Sequence, residues 1–460
     1  MELDEARWLV LDRTPGETLR AALERTLRDA ILAGVLREGV RLPSSRGLAA
    51  SLGVSRGVAT EAYSQLAAQG FLVIRPRAVP VVAPALVPPP RVARAPDQQE
   101  PTPRFDLTPT TPDVMLFPLG PWLTTAQRVA RRAGVAALDY GDPRGEHTLR
   151  EALANHLGRT RGVIADPDQI IVVQGTAQGV DLLLRMLSKR GATRVAVEDP
   201  SHTTQHERVR AYGLEVRPQP VDGAGMVTEG LDADAVLVTP AHQFPMGCVL
   251  SGERRRQLLA WARRNGSLIV EDDYDSEFRY DREAVRAMQG LAPAQVVHLG
   301  TVSKTLAPAL RLGWFIAPDE LADEARNTKR LTDDFSPALD QLTLAEFLNQ
   351  GHYDRHIRRA RAVYRRRRDA LVEALGRHLP ELAVEGVAAG VHVLILLPPG
   401  LDDIAIAAEA ARAKIRVAPL SAFRIEPSEI GGLVIGYGRL HESAVDLAAR
   451  ALANIVRARL

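Results

Sequence analysis

Lysine is scarce in this chain: of 58 basic residues only four are lysines, Lys189, Lys304, Lys329 and Lys414. One stands where an amine could do covalent chemistry. The stretch Gly300-Thr-Val-Ser-Lys304 follows an apolar, strand-like run and continues to Arg311, so Thr301, Ser303 and Arg311 are near neighbours of Lys304. A Schiff-base lysine needs an amine near a strand end, out of bulk water, beside groups that hold a dianionic phosphate, and this neighbourhood answers that need. The other three lysines lie in polar or helical surroundings and read as solvated side chains. Two more elements point the same way. Gln174-Gly-Thr-Ala-Gln-Gly179 joins an apolar run to a helical one, a turn that aims several backbone amides at an anion. After Leu268-Ile-Val270 comes Glu271-Asp-Asp-Tyr-Asp-Ser-Glu277, and a carboxylate at such a strand end can keep a pyridine nitrogen protonated. Runs of acids also bind metals, but no His or Cys ligand accompanies this one.

These groups need a frame. Apolar runs at 170–173, 195–197, 235–238, 268–270 and 296–299 alternate with amphipathic stretches such as 177–187 and 254–264, which predicts an α/β domain with a largely parallel sheet covered by helices. At 460 residues the chain exceeds what one core serves, and 46% hydrophobic with 25% charged residues is an ordinary globular composition. The Pro-rich segment 84–104 reads as a linker between a small domain, 1–83, and a large one, 105–460. No run approaches the roughly 18 apolar residues of a membrane span, and Met1-Glu2-Leu3-Asp4-Glu5 is no signal peptide, so a cytoplasmic protein with no membrane partner is expected. The single cysteine, Cys248, excludes an internal disulfide and a Cys-cluster metal site. A net charge of +2 says little about partners, because a basic face can hide in a balanced total.

In the small domain, Leu19, Leu23, Leu27 and Ile31 recur at helical spacing, and Gly34 follows them. Ser44 or Ser45 can cap a short helix that Gly53 ends, and Ser55-Arg56 opens another with Val58, Ala62 and Leu66 inward. Two short helices around a Gly-containing turn form a helix-turn-helix, and 71–74 with 79–82 can pair as a wing. From residue 37 to 83 six arginines face two acids, a local charge of +4 that suits a phosphate backbone. The arginine run 355–368 is also basic, but Ile357, Ala360 and Val363 (or Tyr364) recur at three- and four-residue steps, so it reads as an amphipathic helix with a solvated face.

Through Arg37-Glu-Gly-Val-Arg-Leu-Pro-Ser-Ser-Arg46, Leu48-Ala-Ala-Ser-Leu-Gly-Val-Ser-Arg56 and Glu61-Ala-Tyr-Ser-Gln-Leu66, the first 83 residues resemble the GntR family of winged-helix repressors. The resemblance implies binding to double-stranded operator DNA through Arg46, Ser55 and Arg56, with the wing tip near Arg75 and Arg77. The wing turn departs from the family, with Arg75-Pro-Arg-Ala-Val-Pro80 where glycine is usual. From Phe105 onward the chain resembles fold-type I aminotransferases, in Tyr140-Gly-Asp-Pro-Arg-Gly145, Glu198-Asp-Pro200 and Thr239-Pro-Ala-His-Gln-Phe-Pro-Met-Gly247 as well as around Lys304. The order of the two halves resembles the MocR/GabR class of regulators. That likeness implies a multidomain protein, a small α+β winged helix-turn-helix before an α/β aminotransferase-like domain with a smaller C-terminal α+β subdomain near 350–460. It also implies pyridoxal 5′-phosphate as cofactor, with Lys304 forming the internal aldimine, Asp272 on the pyridine nitrogen and Tyr274 on the phenolic oxygen. Thr176, Ala177, Thr301 and Arg311 would hold the phosphate, and Tyr140 would reach it from a second subunit of a homodimer.

Some positions depart from the aminotransferase pattern. His202 stands where a ring-stacking tyrosine is usual, Pro109-Thr-Thr-Pro112 replaces a Pro-Gly-x-Pro loop, and Met246 replaces a small hydroxyl residue. The strand Leu433-Val-Ile-Gly-Tyr437 lacks the arginine that holds a substrate carboxylate, which leaves Arg424 as the candidate effector contact. Two functions follow. In one, a regulator senses a small amine, an amino acid or pyridoxal phosphate itself through aldimine exchange at Lys304. In the other, Lys304 is the catalytic residue of a working aminotransferase that carries an appended helix-turn-helix.

Overall fold

The periodic apolar residues of the N-terminal segment build three helices and a short ribbon. The structure is a computed structural model that describes residues 11–84, 102–280 and 285–460, and the chain divides into two units, Met1–Glu100 and Pro101–Leu460. Most of the Pro-rich linker lies outside the described residues. Helix Leu19–Leu32 is capped by Thr18, whose side chain accepts from the Ala21 amide, and it buries Ala22, Leu23, Leu27 and Ile31. Leu19 is exposed, so the inward stripe begins one turn later than the spacing suggested. Ser44, rather than Ser45, caps helix Ser45–Leu52, which stops at Gly53 in the left-handed region. Ser55 caps helix Arg56–Ala68 by accepting from the Val58 amide. That helix buries Ala59, Ala62, Tyr63 and Leu66, leaving Val58 half-buried. The buried Tyr63 hydroxyl donates to the Pro43 carbonyl at 2.9 Å and pins the last helix to the segment before the second, fixing the helix-turn-helix. The wing is shorter than predicted: Leu72–Val73 pairs antiparallel with Val81–Val82. At its tip Arg77 takes a φ of 65°, the left-handed conformation that glycine would adopt more readily.

In the large unit the five predicted strands all form and join an eight-stranded sheet. Its order runs Ile170–Val173, Gly313–Ile316, Val296–Thr301, Leu268–Asp273, Ala235–Val238, Arg194–Asp199, Glu215–Asp222, Gly225–Met226. Neighbours from Val296–Thr301 to Glu215–Asp222 are parallel, whereas Gly313–Ile316 runs antiparallel to both of its partners. Alternate residues of one strand feed separate cores: Ile171 and Val173 pack with Leu183 and Phe315, while Ile170 and Val172 pack with Leu153 and Trp314. Burial on both faces is why these strands read as continuous apolar runs without alternation. Gly145 shows how tightly the neighbouring motif is packed: φ is 92°, and a Cβ there would sit 2.6 Å from the Val172 side chain.

A second sheet, Val384–Glu385, His392–Leu396, Gly432–Gly436 and Ala418–Pro419, forms the smaller subdomain under helices His352–His378, Asp403–Arg412 and Val445–Arg457. The residues just after the linker belong to it physically: Phe105–Asp106 pairs parallel with Ile415–Arg416, and Phe105 and Leu107 join its core. The basic run forms part of helix His352–His378, burying Ala360 and Tyr364, with Ile357 and Val363 only half-buried. Arg367 turns inward to pair with Asp113 at 2.8 Å, while Arg355, Arg358 and Arg359 remain exposed. Lys329 corrects the reading of the spare lysines as solvated: it is fully buried, its Nζ 2.6 Å from Asp333 and 3.1 Å from Ser336. Among the described residues no helix is long and apolar enough to cross a membrane.

Helix His147–Arg161 delivers Arg161 beneath the end of Leu268–Asp273, where Nε and Nη2 bind the two oxygens of Asp273 at 2.8 and 3.0 Å. Both side chains are at most 5% exposed, so each ion depends on the other for its solvation. Replacing Asp273 with alanine strands a buried guanidinium and is expected to cost about 3–5 kcal/mol, read as a lowered unfolding midpoint in denaturant.

Candidate functional site

At the carboxyl ends of the central strands, where open α/β sheets bind ligands, lies a cavity of about 210 Å³. Six of the predicted residues line it together: Thr176, Ala177, His202, Asp272, Tyr274 and Lys304. Lys304 arrives three residues past strand Val296–Thr301, and Asp272 lies near the end of the adjacent parallel strand. Thr176 and Ala177 open helix Thr176–Lys189, which no side chain caps, so its first amides are available to an anion. Gly175 makes that turn possible: φ is 85°, and its Cα side faces the Arg311 guanidinium, 3.2 Å from where a Cβ would stand. A larger cleft of about 500 Å³ opens beside His156, Tyr353 and Asp354, but no lysine lines it among the described residues.

The acidic run from 271 to 277 is not a cluster. Glu271 accepts from the Met288 and Gln289 amides, Asp273 pairs with Arg161, Asp275 with His242 at 2.9 Å, and Glu277 accepts from the Tyr353 hydroxyl. Asp272 is the exception. Its Oδ1 is shielded from solvent without a hydrogen-bond partner among the described residues, and its Oδ2 has only the Gln205 amide at 3.4 Å. Burial, with Asp273 adding repulsion, pushes its carboxyl up to about 7, although Lys304 pulls the other way. A carboxylate held dry and half-partnered beside a cavity lacks a cation, and a protonated pyridine nitrogen supplies one.

Burial lowers the pKa of Lys304, with Asp275 and Asp272 opposing, which favours the neutral, nucleophilic amine. Burial likewise lowers the pKa of His202, reinforced by Lys304 and Arg208, which favours its neutral imidazole. Tyr274 is held well above its ordinary value, first by burial and then by Asp275 and Asp272, and remains a hydrogen-bond donor. Its hydroxyl donates to the His242 carbonyl at 3.1 Å and lies 3.3 Å from His242 Nδ1.

Four predicted residues stand apart from the cavity wall. Thr301 is buried, its hydroxyl 2.9 Å from Ser303 Oγ and 3.0 Å from the Leu312 carbonyl. Arg311 lies behind the Gly175 turn, donating to the Gln174 carbonyl, and lines an adjoining cleft that shares Ala177 and Arg208 with the cavity. Tyr140 is 87% exposed, its ring 5.6 Å from that of Phe335. Arg424 is half-buried with an unpartnered Nε, one residue beyond Phe423. In the first unit Arg46, Ser55, Arg56, Arg75 and Arg77 are all exposed. Sequence reasoning missed Gln205, Arg208, Thr239 and Phe244 in the wall. Gln205 follows His202 by three residues at the start of helix Thr203–Ala211, a spacing that offered the clue, whereas Phe244 is brought in by a loop and gave none.

A reactive lysine, a dry carboxylate lacking a cation, a buried tyrosine donor and an uncapped helix start together fit pyridoxal 5′-phosphate. The bacterial regulatory proteins, gntR family, match residues 19–81, and aminotransferase class I and II matches residues 115–434. The chain is 32% identical to the probable rhizopine catabolism regulatory protein MocR of Rhizobium meliloti, covering 93% of this chain and 92% of that one. It is 33% identical to the pyridoxine biosynthesis transcriptional regulator PdxR of Corynebacterium glutamicum, with 92% of each covered. Among solved structures, an archaeal alanine:glyoxylate aminotransferase superposes with a TM-score of 0.72 at 27% identity, over 77% of this chain and 91% of that one. The large domain is therefore a pyridoxal phosphate-binding one of the fold-type I class. With relatives aligned across both halves, the chain belongs to the MocR-type transcription regulators, which join a GntR-family winged helix-turn-helix to an aminotransferase-like domain.

Proposed function

We propose that this regulator senses an amine, an amino acid or pyridoxal phosphate itself at Lys304 and passes the outcome to its DNA-binding unit. The observation that carries the reading is a buried lysine and a half-partnered carboxylate, Asp272, lining one cavity of a chain that also holds a helix-turn-helix. Bound there, pyridoxal phosphate supplies a carbonyl carbon open to amines and an electron-drawing ring. Lys304 would carry the cofactor, its amine being buried in the cavity wall and exchangeable for that of a ligand. Asp272 would hold the ring nitrogen, Tyr274 would turn its hydroxyl from the His242 carbonyl to the phenolic oxygen, and His202 would stack on the ring. Thr176, Ala177 and Arg311 would hold the phosphate, with Thr301 setting the Ser303 loop behind them. Arg424, which stands outside the cavity lining, is the candidate contact for any effector that carries a carboxylate. The partner subunit of a homodimer would complete the site, and Tyr140 is exposed and free to reach it, as are the apolar side chains of Met115, Leu119, Leu123 and Leu138. Exchange of Lys304 for a free amine changes contacts differently in alternative arrangements of the protein, and so shifts their populations and the affinity for operator DNA.

The units follow the division 1–83, 84–104 and 105–460. Arg46, Ser55 and Arg56 read operator DNA, with Arg75 and Arg77 close by at the wing. Ser55 has a second task, since its Oγ already caps the helix while its hydroxyl proton is free to donate to a phosphate.

Operator affinity measured with pyridoxal phosphate, pyridoxamine phosphate and a set of amines tests the sensing role: affinity shifts by several-fold across the set, and a flat response overturns the reading. Rapid steady-state transamination with unchanged DNA binding points instead to the enzyme. Lys304→Ala is expected to lose the visible absorbance of lysine-bound cofactor and to release the cofactor on desalting. Arg56→Ala weakens operator binding by about 1–3 kcal/mol and relaxes sequence preference, whereas Arg46→Ala lowers affinity for all sequences and reduces the salt slope by about one, both read by titration at several salt concentrations. Because burial raises the Asp272 carboxyl from 3.8 to about 7, the cofactor-free fold binds an extra proton between those values. Its stability therefore falls as pH rises through that window, and Asp272→Asn removes that part of the slope in melts of cofactor-free protein.

A further inference from the structure

Beyond Lys304 the cavity of one protomer is lined by the rings of Phe244 and Tyr274 and by neutral hydroxyls such as those of Thr110, Ser201 and Thr239, where recognition of an amino acid would require a cation. Among the described residues, Lys304 and Arg208 are the only lysine or arginine side chains that line it. Lys304 is committed to the cofactor. Arg208 pairs with Asp181 and also lines the adjoining cleft with Ala177 and Arg311, which places it at the phosphate end. On the other side, Phe244 and Tyr274 form one buried cluster with Leu394, Leu420 and Val434. Val434 is completely buried in strand Gly432–Gly436, which carries no arginine. Phe423 packs edge-on against Phe244 with centroids 4.9 Å apart, and Phe244 in turn lies 5.8 Å from the His202 ring.

We infer that the effector is an amine whose remaining part is apolar and uncharged, an arylalkyl or branched alkyl amine, and that an α-carboxylate is penalised. This deepens the proposed function and rests on amine exchange at Lys304. The reason is solvation. A carboxylate carried into this wall gives up its water and meets Phe244 and Tyr274 instead of a guanidinium, an unpaired burial that costs more than the shared part of the ligand can recover. An aryl or alkyl group at the same place gains from leaving water and from contact with the Phe244 ring.

The test uses the full-length protein loaded with pyridoxal phosphate and ligand pairs that differ by one carboxylate: 2-phenylethylamine against L-phenylalanine, and 3-methylbutylamine against L-leucine. Binding is read from the cofactor's absorbance and compared at equal free-base concentration. Each amine is expected to bind on the order of tenfold tighter than its amino acid. Phe244→Ala should narrow that gap by weakening 2-phenylethylamine several-fold more than methylamine, which has nothing to place there. Equal or tighter binding of the amino acids overturns the inference, and loss of that binding in Arg424→Ala would identify the cation responsible. If neither methylamine nor hydroxylamine alters the absorbance, amine exchange itself fails and this inference falls with it. A response to methylamine without the predicted preference sinks the inference alone.

Discussion

The site depends on one electrostatic constraint, the presence of several carboxylates in a short stretch at the dry end of a central strand. Each buried ion must find compensation or give up its charge. Asp273 finds Arg161, Asp275 finds His242, and Glu271 takes two backbone amides. Asp272 alone is left facing the cavity with one oxygen unmatched. The partners of its neighbours come from a distant helix, a loop and a connecting turn, so much of the domain is arranged to satisfy them. What remains unsatisfied is the functional feature. A site that presents an uncompensated carboxylate to an empty space is already half of a binding interaction with a cationic ring.

The same logic separates the two ends of the cavity. Toward helix Thr176–Lys189, unsatisfied amides, Gly175 and two arginines create a positive end suited to a phosphate. Toward strand Gly432–Gly436 the wall consists of Phe244, Tyr274 and the apolar cluster behind them. A small molecule bridging these ends presents charge to one and hydrocarbon to the other. Lys304 lines the same cavity, and burial lowers its pKa, which favours a nucleophilic amine.

Much of this was legible without coordinates. The helix-turn-helix was readable because short helices announce themselves by caps and breakers: Ser44, Gly53 and Ser55 perform the tasks their types suggest. The five central strands were readable because strands buried on both faces are continuous apolar runs. Less was legible where a residue's neighbour is remote. Lys329 has its polar partners close in sequence, Asp333 one helical turn on and Ser336 just past the helix end, but its full burial comes from the elements packed against helix Asp319–Asp333, such as helix Thr176–Lys189. Thr301 adjoins the reactive lysine in sequence, yet its hydroxyl turns to the Leu312 carbonyl, a contact decided by the antiparallel pairing of the two strands.

By itself the sequence determined the two-part organisation, the reactive lysine and its cofactor class, because local spacing and residue chemistry are sufficient for those. Tertiary structure decided how each acid of the 271–277 run is partnered, that Arg208 joins the cavity wall while Arg311 stands in the adjoining cleft, and that Phe244 lines the cavity with Val434 packed in the cluster behind it. Those are properties of side chains brought together across many residues, and the free energy of a buried charge or an apolar contact depends on what surrounds it in space.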